Sequence, residues 1–125
     1  MKPEWESAIQ RGDAAAAREL VDAGIDIDSR DRHGQTALMR AAHLGHIELA
    51  ELLISRGADL DVTAKYRLSA LMLAVIAGHP EIACMLARAG AGRTLQGGGA
   101  PGFEGKTAYD LAVERDMKEI LEELK

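Results

Sequence analysis

The chain repeats itself. Asp31 to Thr63 reads DRHGQTALMRAAHLGHIELAELLISRGADLDVT: a turn, an amphipathic helix, a Gly-His break, a second amphipathic helix and a Gly-Ala-Asp stop. Thr36-Ala37-Leu38-Met39 returns 33 residues later as Ser69-Ala70-Leu71-Met72, and Gly45-His46 returns as Gly78-His79. Gly24, Gly57 and Gly90 keep the same spacing, and Gly12-Asp13 foreshadows the Gly-His pair. A fixed period of this length, with two helices and a turn in each unit, is the mark of a stacked repeat array.

The pattern predicts an all-α chain of about four helix–turn–helix units, near residues 1–30, 31–63, 64–96 and 102–125. Helices are expected near 4–11, 14–23, 36–43, 47–56, 69–77, 80–89, 107–114 and 116–124. Asp13, Thr36 and Thr107 are natural N-caps, and Pro80 suits a first helical position because its missing N–H costs nothing there. Trp5, Ala8 and Ile9 form one face of the first helix. Leu38, Leu53, Leu71 and Leu86 should be buried between units, and Leu20 and Val21 are core candidates one period before Leu53 and Ile54. Two places break the rhythm. Arg67 stands 33 residues after Gly34, where a left-handed turn residue is wanted, so a locally different turn is expected. Thr107 follows Ser69 by 38 residues, so five have been added. They are placed at Gly97-Gly98-Gly99-Ala100-Pro101 and expected to form an exposed, mobile loop of little structural weight.

Period, turn and helix pair together resemble the ankyrin-repeat family over nearly the whole chain. The resemblance implies a solenoid with degenerate, polar terminal caps, forming a single domain over 1–125. One departure stands out. The family pattern Thr-Pro-Leu-His-x-Ala is here Thr36-Ala37-Leu38-Met39-Arg40-Ala41, and Met72 replaces the His again. Met39 and Met72 should fill that space by packing alone.

Composition narrows the function classes. The chain is 47% hydrophobic with four aromatic residues, so the core must be aliphatic. A net charge of -5 argues against nucleic acid as the partner. No apolar run approaches a membrane span, and MKPEWESAIQRGD carries no secretory h-region. The single Cys84 makes no internal disulfide. The expectation is a cytoplasmic monomer without membrane contact. No phosphate-cradle, dinucleotide or zinc-protease motif is present; Gly105-Lys106-Thr107 matches only the end of a Walker string, and Ala100 occupies the position of its first Gly. No cofactor, metal site or catalytic residue is assigned.

Two function classes remain. The first is a non-catalytic protein-interaction module. The resemblance implies that its turn tips and inner helix face do the binding, which by matching positions names Arg30, Arg32, His33, Gln35, Thr63, Lys65, Tyr66, Leu68 and Phe103, with Glu104 and Lys106. The helix ends add His43, Leu44, Ile76 and Ala77. Tyr66, Leu44 and Ile76 are apolar where solvation alone would favour polar groups. The basic residues of the tips suggest a protein partner with an acidic patch. The second class is a small enzyme, or a ligand- or metal-binding protein, using the His-containing face. Against it, His46 and His79 occupy the ordinary Gly-His slot of the repeat.

Overall fold

A computed structural model describes residues 1–125. It holds eight α-helices and no strand: α1 (Pro3–Arg11), α2 (Ala14–Asp22), α3 (Ala37–Leu44), α4 (Ile47–Ser55), α5 (Ala70–Ile76), α6 (Pro80–Arg88), α7 (Ala108–Glu114) and α8 (Leu121–Leu124). Helices pair in sequence, α1 with α2 through to α7 with α8. Each odd-numbered helix packs on the next, and so does each even-numbered one, which makes two layers. We call the odd-numbered layer inner, because the turn tips lead into it.

Local chemistry sets the starts. The hydroxyls of Thr36 and Ser69 accept the amides of Met39 and Met72, each at 3.3 Å. Thr107 and Asp110 form a reciprocal capping box, and the Asp13 carboxylate accepts the Ala16 amide. Behind the caps runs one apolar cluster, continuous from Trp5 to Leu124. Leu38, Leu53, Leu71 and Leu86 are all buried within it, as the period requires. Met39 and Met72 are buried beside them. Leu20 and Val21 are only partly buried, because α2 belongs to the terminal unit and has a neighbouring repeat on one side only.

A second device ties neighbouring units. His46 Nε2 lies 3.1 Å from the Gln10 carbonyl, and His79 Nε2 lies 3.1 Å from the His43 carbonyl. Each ring sits against the break glycine of the preceding unit. A Cβ on Gly12 would come within 2.5 Å of the His46 ring, and one on Gly45 within 2.6 Å of the His79 ring. Glycine is therefore needed there for space as well as for its positive φ.

Three expectations are corrected. The last helix does not run 116–124. Asp116 takes the left-handed break with φ of 56°, a 3-10 turn follows over Lys118–Ile120, and α8 is one turn long. Arg67 does not escape the left-handed conformation: its φ is 56°, and that of Tyr66 is 60°. The backbone bonds of the two turns correspond, since the Arg67 amide reaches the Ala64 carbonyl as the Gly34 amide reaches that of Asp31, both at 3.0 Å. Fold register thus overrides a local preference worth roughly 1–2 kcal/mol.

The third correction concerns the five added residues. Gly97, one repeat after Ala64, donates to the Lys106 carbonyl and accepts from the Gly105 amide, the bonds that Asp31 makes with Gln35 and Gly34. The extra residues therefore lie inside the turn, at 98–102, one position later than expected. Gly97 and Gly98 are buried, and the Ala100 carbonyl accepts from both Phe103 and Glu104. The segment is folded against its own base and against the preceding tip.

Candidate functional site

The sequence-predicted contact residues fall into groups. At the second unit's tip, Arg32 and His33 are exposed. The Asp31 carboxylate holds that tip by accepting the amides of His33 and Gln35 at 2.8 and 3.0 Å. Gln35 is half-buried as a result of the chain turning inward toward Thr36. Exposed Arg30 reaches forward to the half-buried Thr63, donating to its carbonyl at 3.4 Å. That bond joins consecutive units just before their tips.

The third unit's tip is different. Ala64 stands where Asp31 stood and has no carboxylate to offer the turn amides. Support comes from the insert instead. The Gly98 amide donates to the Tyr66 carbonyl at 2.8 Å, and the Tyr66 and Phe103 rings lie 5.4 Å apart with a tilt of 37°. Lys65 Nζ lies 5.0 Å from the centre of the Tyr66 ring, within cation–π range. Glu104 closes the insert by accepting the Gly99 amide at 2.8 Å. Tyr66 stays 37% exposed and Phe103 half-buried, so the pair forms a braced aromatic surface. Lys106 turns away from the tip and pairs with Glu114 on α7.

On the inner helices, His43 is exposed and Leu44 is 40% exposed, while Ile76 and Ala77 are half-buried. Leu68 is withdrawn from the site. It is buried, with its side chain in the core cluster. Its position one repeat after the half-buried Gln35 gives it a place beside the core, and an aliphatic side chain there joins the apolar cluster.

The structure also adds residues. Beside the second tip is a polar hollow of about 760 Å³ lined by Gln10, Asp31, Arg32, His33 and Arg40, with the start of α1. It makes one surface of the tip and the inner helices. Arg40 and Gln10, hydrogen-bonded across it, were both missed. The signal was present: Arg40 precedes His43 by three on the same helix, and Gln10 precedes His43 by one repeat.

The His-face alternative finds little support in this geometry. His46 and His79 each spend one ring nitrogen on a carbonyl of the preceding unit. No group of three or more His, Cys, Asp or Glu side chains is arranged to hold a metal ion. No helix is long and apolar enough to cross a membrane. The groups with displaced pKa values lie on the outer layer, away from the tips. Burial, and then Glu123, push the Cys84 thiol up, while the Arg88 hydrogen bond holds the Glu123 carboxyl below its usual range.

A family model of ankyrin repeats, in three copies, matches residues 6–96. Among similar proteins is the ankyrin repeat, SAM and basic leucine zipper domain-containing protein 1 of Oryctolagus cuniculus. It is 40% identical over 48 residues, which cover 38% of this chain and 10% of that protein. Its counterpart in Dasypus novemcinctus is 42% identical over the same length. The human ankyrin repeat domain-containing protein 29 is 48% identical over 42 residues, covering 33% of this chain and 14% of that protein. The matched segments span about a tenth to a seventh of these relatives. With paired helices stacked in two layers, left-handed glycines at the unit ends and the family match over most of its length, the chain belongs to the ankyrin-repeat family.

Proposed function

We propose that this chain is a non-catalytic interaction module, a single domain that binds a partner protein through its turn tips and inner helix face. Ankyrin repeats are in general protein–protein interaction modules, and this reading gives the general role a particular surface. The observation that carries it is the third tip. Two consecutive bulky residues, Tyr66 and Arg67, are held at positive φ, and the insert braces the Tyr66 ring while leaving it over a third exposed. Backbone strain of about 1–3 kcal/mol per residue persists only where surrounding structure enforces it, and it concentrates where a side chain must be aimed.

The partner's chemistry follows from the charges. Arg30, Arg32, Lys65 and Arg67 crowd the tips, while the carboxylates there, Asp31 and Glu104, are engaged with backbone amides. A partner with an acidic patch around an apolar centre fits that surface. Tyr66 and Phe103 meet the centre, and Leu44 and Ile76 extend the apolar contact on the helices. The module acts as a monomer in the cytoplasm on this reading, with Cys84 a thiol.

The test starts by capturing the partner from native lysate and identifying it by mass spectrometry. Tyr66→Ala should then weaken the complex by about 2 kcal/mol or more, the size expected of an interface anchor. Arg32→Glu with Lys65→Glu should slow association and reduce its salt dependence. If both variants fold normally and bind like the parent, the contact is elsewhere and the proposal fails.

A further inference from the structure

The outer layer carries a groove that the turn-tip reading leaves unused. It is a shallow space of about 560 Å³ between α4, α6 and the turn that leads into α8. Its floor is apolar, with Ile47, Pro80, Met85 and Ile120 around Cys84. Ile47 stands 37% exposed at the first position of α4, where the sequence could have placed a polar residue without loss to the core.

The rim of the groove is acidic. Glu51, Glu81 and Glu119 line it, one from each helical element. None of these carboxylates takes part in an ion pair. The one cation on the rim, Arg88, is already taken: its guanidinium donates twice to Glu123, at 2.8 and 3.1 Å. Burial is the main cause that raises the Cys84 thiol on the floor; Glu123 adds to it, Arg88 opposes it, and Glu119 adds the smallest effect.

We propose that this outer groove docks an amphipathic helical segment of a partner protein, one with an apolar ridge flanked by lysines or arginines. The ridge would cover Ile47 and Met85, and the flanking cations would meet three carboxylates that have no partner within the chain. Charge decides between this occupant and its rivals. An anionic lipid surface, or the same acidic face of a second copy, would set like charges together. The groove lies on the layer opposite the tips, so it stands whether or not the turn-tip reading does.

The probe is a fluorescein-labelled synthetic peptide of about 16 residues, with leucines at helical i, i+3, i+4 spacing and lysines on both flanks. Its anisotropy is followed on titration with the full chain. Saturable binding is expected, and Glu81→Lys with Glu119→Lys should weaken it about tenfold or more. These glutamates are exposed and unpaired, so circular dichroism should show the double variant folded. Ile47→Ser tests the floor without altering charge and should also weaken binding. Tyr66→Ala should change nothing, which separates this surface from the tips. Cys84 is the only cysteine, so its reaction with a disulfide reagent should slow when the peptide is bound. A control peptide with serine in place of every leucine should bind at least about tenfold more weakly. Equal binding of that control would reduce the effect to bulk attraction by an acidic protein and overturn the proposal. So would absence of saturation, or binding that leaves Cys84 unprotected and ignores both variants.

Discussion

The junction between the second and third units and the junction between the third and fourth join similar helix pairs by different means. At the former, the His79 ring enters the space left by Gly45 and bonds to the His43 carbonyl. The loops add a second bond, from the Gly92 amide to the Asp61 carboxylate at 2.7 Å. At the latter, Met117 occupies the histidine's place, and a Cβ on Gly78 would meet nothing within 4 Å. Cohesion there comes from outside the repeat pattern: the insert on the Tyr66 tip, and Glu123 gripping Arg88 and Arg93 from α8. The regular junction is built from features that recur along the chain. The irregular one is built from features that occur once, and the braced aromatic pair of the proposed contact surface is among them. A repeat array can thus keep its stacking where the pattern is intact and place individual chemistry where the pattern lapses.

The largest expected effect probes the cores of these two regions. Leu53 lies on α4, between neighbours on both sides, while Leu124 lies on the single turn of α8. Leu53→Ala should cost roughly 2–5 kcal/mol by urea unfolding, because a cavity between flanked repeats collapses poorly. Leu124→Ala should cost clearly less, since a terminal turn can shift to fill the space. Equal losses would mean that the last unit is as firmly built as the second, and the comparison would fail.

A finer contrast lies in the break glycines. Gly45 and Gly78 share a left-handed backbone, with φ of 81° and 79°. Gly78→Ala adds strain alone, roughly 1–2 kcal/mol. Gly45→Ala adds the same strain and also drives a methyl into the His79 ring. That ring must swing away from the His43 carbonyl, for a further loss of about 0.5–1.5 kcal/mol. Urea midpoints of the two variants should therefore differ, with Gly45→Ala lower. The additional change His79→Ala should lessen the gap by making room for the methyl.

The contrast between the junctions also marks how far the sequence could be read. Recurrence made the helix pairs, their caps and the buried leucines legible, because each rests on local chemistry repeated in phase. The Gly-His slot was legible as structural, but its partner carbonyls were not, since backbone acceptors carry no sequence signal. The Tyr66–Phe103 pair escaped because it depends on the path of an insert that has no counterpart in the other units. The break at Asp116 escaped for a related reason: a residue with a side chain took a glycine's conformation, and only packing of the last unit enforces that. Leu68 is not a contact residue because position in the repeat alone does not weigh side-chain chemistry: a leucine at the edge of the core joins the apolar cluster, whereas Gln35 one repeat earlier stays half-buried.

The smallest expected effect concerns the ion pair that serves the irregular junction. Arg88 and Glu123 join α6 to α8, and the hydrogen bond from Arg88 holds the Glu123 carboxyl below its ordinary value of 4.5. A carboxyl depressed in the folded state stabilises the fold above its unfolded pKa and loses that contribution as pH falls through the folded value. Both groups are open to water, so the contribution is small and salt weakens it further. Glu123→Gln should therefore unfold at slightly lower urea than the parent at neutral pH. The difference should shrink as pH is lowered below about 4.5, the range in which the parent's own carboxyl becomes protonated. The junction between the second and third units contains no such ion pair. If the Glu123→Gln difference persisted unchanged at low pH, the carboxylate's charge would not be what holds α8 to α6; if the variant matched the parent at every pH, Arg93 on the Glu123 main-chain carbonyl, at 2.9 Å, would be the principal tie.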